Sequence, residues 1–225
     1  MKGRGSNPFI VSTKKLPKSI HHLFTEAEIR LQDSDFLRFN YLQPKLPDAP
    51  QHIVISSQNA LKAIVKIDAN YFEEKTCFCV GLQTRKTLEK YGAKVVADAP
   101  DAESLVQIID KMYLDRKFTF FSGNLRRDVL PEYLRKKGVL NAEIVVYETL
   151  PQPIKMSPQP DGILFFSPSG VKSYLLKNTL GNSVCFCIGQ TTAAELKTLT
   201  RSIQVAASPS VENVAKTCID YFKNP

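Results

Sequence analysis

Short apolar runs recur along the chain, each ending in Ser or Gly and each followed by an amphipathic stretch. Ile53-Val54-Ile55, Cys77-Phe78-Cys79-Val80, Phe118-Thr119-Phe120-Phe121, Ile163-Leu164-Phe165-Phe166 and Cys185-Phe186-Cys187-Ile188 are the clearest. Runs of this length, rich in β-branched and aromatic residues and bounded by turn signals, predict buried strands. Gln58 to Val65 and Val171 to Leu180 carry apolar residues at three-to-four spacing and predict helices. Gly138 follows Tyr133-Leu134-Arg135-Lys136-Lys137 and predicts a helix stop with a cationic last turn, Pro131 falls near that helix's start, and Asn141 to Leu150 predicts a further strand. Strand alternating with helix predicts an α/β fold, with parallel sheets flanked by helices on both faces.

The pattern also repeats. Cys77-Phe78-Cys79-Val80-Gly81 returns as Cys185-Phe186-Cys187-Ile188-Gly189, an offset of 108. Ile53 to Lys62 matches Ile163 to Lys172, with Ser57 on Ser167 at an offset of 110. Val95-Val96-Ala97 through Pro100 and Glu103 matches Val205-Ala206-Ala207 through Pro209 and Glu212, with Pro100 on Pro209 at 109. Phe9 to Ser12 lies beside Phe118 to Ser122, with Ser12 on Ser122 at 110. Four matches in one order at nearly one offset mark two copies of a unit of about 110 residues, close to the usual size of a domain. The order along the chain is A-B-A′-B′.

Two proline-bearing stretches interrupt this grammar: Asp35 to Pro50, with Pro44, Pro47 and Pro50, and Leu150 to Pro160, with Pro151, Pro153, Pro158 and Pro160. Both read as interdomain connectors. The repeat alone permits lobes A+B and A′+B′, but two connectors favour an inserted lobe over 39–150 and a discontinuous lobe of 1–37 plus 152–225. Two similar lobes joined by a two-stranded connector, with connectors near 38–50 and 150–160, is the predicted architecture. The working site is expected in the cleft between the lobes.

Composition narrows the partners. A hydrophobic fraction of 43% and a charged fraction of 23% describe an ordinary globular chain. No apolar run reaches the ~18 residues that span a bilayer, and Met1 to Pro8 has no apolar core with a small-residue cleavage site, which predicts a cytoplasmic protein without membrane association. Five cysteines in that setting do not form a disulfide framework. The formal net charge of +8 suits an anionic partner, whether nucleic acid, membrane surface or a polyanionic small molecule, although any one basic cluster is as well read as a solvated helix face.

Ligands of open parallel sheets bind beyond the carboxyl ends of the strands. Here those ends carry Ser56-Ser57-Gln58-Asn59, Gly81-Leu82-Gln83-Thr84, Ser122-Gly123-Asn124, Ser167-Pro168-Ser169-Gly170 and Gly189-Gln190-Thr191-Thr192. Each turn is expected to lead into a helix, whose first N–H groups favour an anion by about 0.3–1 kcal/mol. Helix capping alone also explains Ser, Thr and Asn at such places. The Cys-x-Cys pairs put both thiols of a pair on one strand face and read as core rather than as metal ligands. His21, His22 and His52 form no metal pattern, and neither a Walker A sequence nor G-x-G-x-x-G occurs. Basic runs without interleaved aromatics argue against nucleic acid.

Phe120-Phe121-Ser122-Gly123-Asn124-Leu125-Arg126-Arg127-Asp128-Val129-Leu130-Pro131, followed by Val146-Tyr147-Glu148-Thr149, resembles the uroporphyrinogen-III synthase family. So do Phe165-Phe166-Ser167-Pro168-Ser169-Gly170-Val171, Ile188-Gly189-Gln190-Thr191-Thr192-Ala193 and Ser208-Pro209-Ser210, in the family's order and spacing over roughly 53–222. The first ~50 residues match in plan only, and Arg85 stands where a small residue is expected after Thr84. The resemblance implies two α/β lobes and closure of the linear tetrapyrrole hydroxymethylbilane to uroporphyrinogen III, with loss of water and inversion of the last pyrrole. It implies no metal or organic cofactor, and a substrate with eight carboxylates; a monomer is expected. Tyr147 matches the family's tyrosine: a phenol is protonated at neutral pH and can donate to the departing hydroxyl, or it packs the lobe hinge. Ser57, Gln58, Asn59, Gly81, Thr84, Ser122, Gly123, Asn124, Arg126, Ser167, Pro168, Ser169, Gly170, Gly189, Thr191 and Thr192 are the expected substrate-binding positions. A non-catalytic two-lobed binder of an anionic small molecule is the competing reading, and a nucleic-acid-binding protein a third.

Overall fold

The computed structural model describes residues 7–50 and 52–223. In chain order the elements are β1 (Phe9–Ser12), α1 (Lys18–Glu26), β2 (Arg30–Asp33), β3 (Leu37–Tyr41), β4 (His52–Ile55), α2 (Gln58–Ile67), β5 (Thr76–Val80), α3 (Leu82–Lys90), β6 (Lys94–Ala99) and α4 (Ala102–Met112). They continue with β7 (Phe118–Gly123), α5 (Val129–Lys136), β8 (Leu140–Pro151), β9 (Gly162–Phe165), α6 (Pro168–Leu175), β10 (Val184–Cys187), α7 (Gln190–Ala194), β11 (Ile203–Val205) and α8 (Val211–Lys223). By internal contacts the chain divides into one unit made of 1–38 and 150–225 and another made of 39–149. The chain therefore passes between units twice, inside β3 and inside β8. Of the stretch expected to open the discontinuous lobe, residues 1–6 lie outside the described residues, as do 224 and 225.

The discontinuous unit holds a five-stranded sheet in the order β11-β10-β9-β1-β2, and every pair is parallel. The 39–149 unit holds a six-stranded sheet in the order β3-β8-β7-β4-β5-β6, with parallel pairing from β8 through β6. The four repeated sequence blocks occupy the same places in both: β11-β10-β9-β1 corresponds to β6-β5-β4-β7. Each sheet thus takes one block from the first copy of the repeat and the complementary block from the second.

Both faces of each sheet are covered, which is why the strands read as continuous apolar runs. Ile53, Ile55, Cys77 and Cys79 pack with Leu61, Ile64 and Leu88 of α2 and α3, while Val54 and Phe78 pack oppositely with Leu105, Ile109, Leu130 and Leu134 of α4 and α5. In the other unit Ile163, Phe165, Cys185 and Cys187 face Val171, Tyr174 and Ala193, whereas Leu164 and Phe186 face Ile20, Phe24, Val214 and Cys218. Side chains alternate faces along a strand, so the Cys-x-Cys spacing places both thiols in one core.

Helix ends follow local chemistry, with one correction. Gly138, at φ +67, ends α5 as expected, with Val139 N–H donating to Leu134 O at 2.9 Å. The helix expected over Val171 to Leu180 begins instead at Pro168 and stops at Leu175. Ser167 caps it through its side chain and Pro168 takes the first turn. Beyond it, Asn178 Nδ2 donates to Tyr174 O at 3.0 Å and to Ile154 O at 2.8 Å, and Asn178 Oδ1 accepts from Met156 N at 2.8 Å. The apolar spacing of Leu176 and Leu180 belongs to a turn pinned to the 154–156 segment, not to a helix.

Candidate active site

Parallel strands bring their carboxyl ends to one edge of each sheet. At that edge of the 39–149 unit, Ser57 has extended dihedrals and accepts from Asn59 N at 3.1 Å, capping α2. Its Oγ lies 3.0 Å from the Tyr147 hydroxyl. Tyr147 projects from β8, where Gly123 of β7 is its partner in register. Asn124 binds the same strand three ways: its N–H donates to Tyr147 O at 3.1 Å, its Oδ1 accepts from Thr149 N at 2.8 Å, and its Nδ2 reaches Thr149 O at 3.5 Å. Phe39 sets an edge against the Tyr147 ring, with centroids 6.1 Å apart. Ser57, Gly123 and Tyr147 border a pocket of about 320 Å³ shared with Ser56, Arg126 and Arg127, with Val80, Phe120, Leu125 and Leu130 as its apolar wall.

Other predicted residues have different surroundings. Arg126, expected to receive a substrate carboxylate, pairs with Glu143 and, at 2.5 Å, with Asp128. The hydrogen bond to Glu143 above all holds its guanidinium above the usual arginine range, so its charge is already met within the unit. Arg85, where the sequence departs from the family pattern, is likewise held by Glu89 at 2.8 Å and Asp98 at 2.6 Å. Gly81 sits at φ +88 at the start of α3, a conformation that favours glycine, but Thr84 is 4% exposed and turns into the core. Asn59 and Gln58 open α2, where Gln58 Nε2 is buried with no hydrogen-bond partner. Ser122 Oγ is also buried without a partner. The turn Ser122-Gly123-Asn124 does not lead directly into a helix as expected, because α5 starts only at Val129.

In the discontinuous unit, Ser167 Oγ accepts from Gly170 N at 3.0 Å and lies 3.2 Å from Ser169 Oγ, with Pro168 between them. Gly170 packs so closely that an added Cβ would meet Ser167 Oγ at 3.3 Å and Thr13 Oγ1 at 3.5 Å. Gly189 has extended backbone and open space beside it, so neither φ nor crowding requires glycine there. Thr191 is exposed and Thr192 buried. The helix that carries both, α7, has five residues, too few for the anion-favouring dipole expected of it.

The Ser12-to-Lys15 turn was absent from the sequence candidates, yet it lies at the same edge as Ser167 to Gly170. Thr13 Oγ1 donates to Leu164 O at 2.8 Å, and Lys14 Nζ lies 6.0 Å from the Phe166 ring. The repeat match of Ser12 with Ser122 was the signal that could have found it. The two units differ at this point. In register beside Ser12 stands Asp33, which accepts from Leu16 N at 2.7 Å and pairs with His21 at 2.8 Å, while Asp35 accepts from Lys15 N at 2.9 Å. A phenol occupies that region in one unit and backbone-tethering carboxylates occupy it in the other.

All five cysteines are free and buried. Burial pushes the thiols of Cys77, Cys79, Cys185 and Cys187 up to about 12, which leaves no thiolate for chemistry at neutral pH. Among the described residues no group of three or more His, Cys, Asp or Glu is placed to hold a metal ion.

Solved structures share this fold. The crystal structure of uroporphyrinogen-III synthetase from Helicobacter pylori 26695 aligns with a TM-score of 0.72 at 19% identity, covering 95% of this chain and 99% of that one. A mutant uroporphyrinogen III synthase from the extremely thermophilic bacterium Thermus thermophilus aligns with a TM-score of 0.64 at 10% identity, covering 96% and 98%. The sequence itself matches the family model described as Uroporphyrinogen-III synthase HemD over residues 29–216. That match spans most of the chain, which therefore belongs to the uroporphyrinogen-III synthase family, enzymes of haem tetrapyrrole biosynthesis that cyclise hydroxymethylbilane.

Proposed function

We propose that this chain closes hydroxymethylbilane to uroporphyrinogen III with Tyr147 as the proton donor to the departing hydroxyl. The observation that carries this reading is the Ser57–Tyr147 hydroxyl pair, 3.0 Å apart at the edge of a pocket. Ser57 Oγ already accepts from Asn59 N–H. Its own proton is then available to Tyr147 Oη, and the phenol hydrogen is left for the substrate. As the hydroxyl leaves with that proton as water, the Ser57 O–H stabilises the developing phenolate, a charge-assisted bond roughly twice as strong as a neutral one.

The chemistry asks little of a donor and much of a template. The pyrrole nitrogen lone pair expels the hydroxyl, the substituted carbon of the last ring attacks the resulting cationic carbon, and rearrangement inverts that ring. The proton lost as the ring system regains aromaticity restores the phenol, so protons balance. Holding the bilane in the productive fold can supply about 7–11 kcal/mol, against about 10²–10⁴-fold from one general acid. Hydroxyls of Ser167, Ser169 and Thr191, with the capped start of α6, are assigned to the substrate's carboxylates. The absence of a phenol at the matching place beside β1 supports chemistry in the 39–149 unit and binding alone in the other. No described helix is long and apolar enough to cross a membrane; a cytoplasmic, monomeric enzyme completes the proposal, the monomer being open to analytical ultracentrifugation.

Tyr147→Phe is the direct test. Its kcat for isomer III is expected to fall by about 10²-fold, with the isomer made by the enzyme unchanged. Full activity would remove the donor role.

A further inference from the structure

We infer that Gly123 is the positioning residue that delivers the Tyr147 hydroxyl to Ser57, by leaving a gap in β7 across which the phenol lies. The sheet order is β8-β7-β4, and Ser57 directly follows β4. Adjacent strands lie about 4.8 Å apart, so the Ser57 edge is roughly 10 Å from β8. A side chain rooted on β8 covers that distance only by crossing the strand between. Tyr147 does so at its register partner, Gly123. A Cβ on Gly123 would stand 2.3 Å from Tyr147 Cζ, 2.6 Å from Cε2 and 2.7 Å from Cε1.

That contact is the whole reason for glycine here. Gly123 is not among the glycines with positive φ, so its backbone suits any residue, and the pairing of β7 with β8 shifts register between Ser122 and Gly123. The shift sets the residue without a side chain under the ring. Asn124 then fastens the two strands just beyond, and Phe39 closes against the ring. The methyl of an alanine has no room unless the ring lifts, and a lifted ring surrenders the Ser57 bond. Gly123 therefore acts through Tyr147 and not as a carboxylate ligand.

The inference rests on Tyr147 as donor for its kinetic consequence but not for its geometry, and the test separates the two. Gly123→Ala is expected to lower kcat for isomer III about 10²-fold with KM little changed, as a displacement of ~1 Å does at a reacting group. In the Tyr147→Phe background, which keeps the ring and lacks the hydroxyl, the same change is expected to cost less than about threefold in kcat, because coupled residues are not additive. The ¹³Cζ resonance of Tyr147, identified by its loss in Tyr147→Phe, is expected to move in Gly123→Ala in the direction it moves in Ser57→Ala. If Gly123→Ala is too unstable to assay, the pair Gly123→Ala with Tyr147→Ala removes the ring and is expected to melt at the temperature of Tyr147→Ala alone. Full activity of Tyr147→Phe with a shifted resonance in Gly123→Ala would end the donor role and keep the seat. An unmoved resonance, equal kcat losses in both backgrounds, or an equal loss of stability with and without the ring would each overturn the inference.

Discussion

At the scale of single residues, the site is a matter of which small polar groups keep their hydrogen-bonding capacity for a ligand. Ser57 does two tasks with one oxygen, capping α2 and touching Tyr147. Ser57→Ala removes both. It is expected to lose about 1 kcal/mol of stability through the cap and to lower kcat, while Ser57→Thr, which keeps the hydroxyl, retains most of each. Urea denaturation and turnover on the same preparations check this, and a Ser57→Ala enzyme with undiminished kcat would contradict it. The family blocks point to Gly123 and Tyr147, and the strand-end turns to Ser57, but neither signal tells which side chains open to a pocket. Thr84 and Thr192 look like Ser57 and Ser169 in sequence yet are buried, because the second or third position of a helix faces the sheet or solvent according to tertiary packing. The pairing of Arg126 with Glu143 was equally hidden, since Arg126 lies in the turn after β7 and Glu143 on β8, 17 residues away.

At the scale of elements, apolar runs mark the central strands, which are covered on both faces and carry almost no polar interruption, but not β2 and β3, whose residues are partly or fully exposed. Boundaries fared worse where a side chain outside the helix decided them. Asn178 turns the chain after α6 through partners at residues 154 and 156, which no local pattern announces. The same strand cores make a prediction about pH. Below the ordinary thiol range both folded and unfolded chains hold the thiol protons. Above it the unfolded chain releases them, whereas burial keeps the native thiols protonated to about 12, so stability falls as pH rises through that interval. Replacing Cys77 and Cys185 by alanine is expected to make the urea midpoint less steep with pH between about 8.5 and 12. An unchanged slope would contradict this account. The native thiols are also expected to resist an aromatic disulfide reagent until denaturant is added.

At the scale of the whole molecule, the order A-B-A′-B′ could be read from the repeat, and the strand orders β11-β10-β9-β1 and β6-β5-β4-β7 show its three-dimensional counterpart. What the repeat could not reveal is the difference between the copies: Tyr147 stands opposite Gly123 in one sheet, whereas Asp33 stands opposite Ser12 in the other. The contiguous unit has its own two cores, so a fragment of residues 39–149 is expected to fold alone with a cooperative melt. A fragment beginning at 150 is not, since β1 lies between β9 and β2 in its sheet. Circular dichroism on both fragments distinguishes these outcomes. The central claim, that this chain directs ring closure with inversion, is tested most directly by supplying hydroxymethylbilane to the pure protein and separating the oxidised uroporphyrin isomers by chromatography. Isomer III in excess of the protein-free control is the expected result. Isomer I alone, from protein shown to be folded, would contradict it.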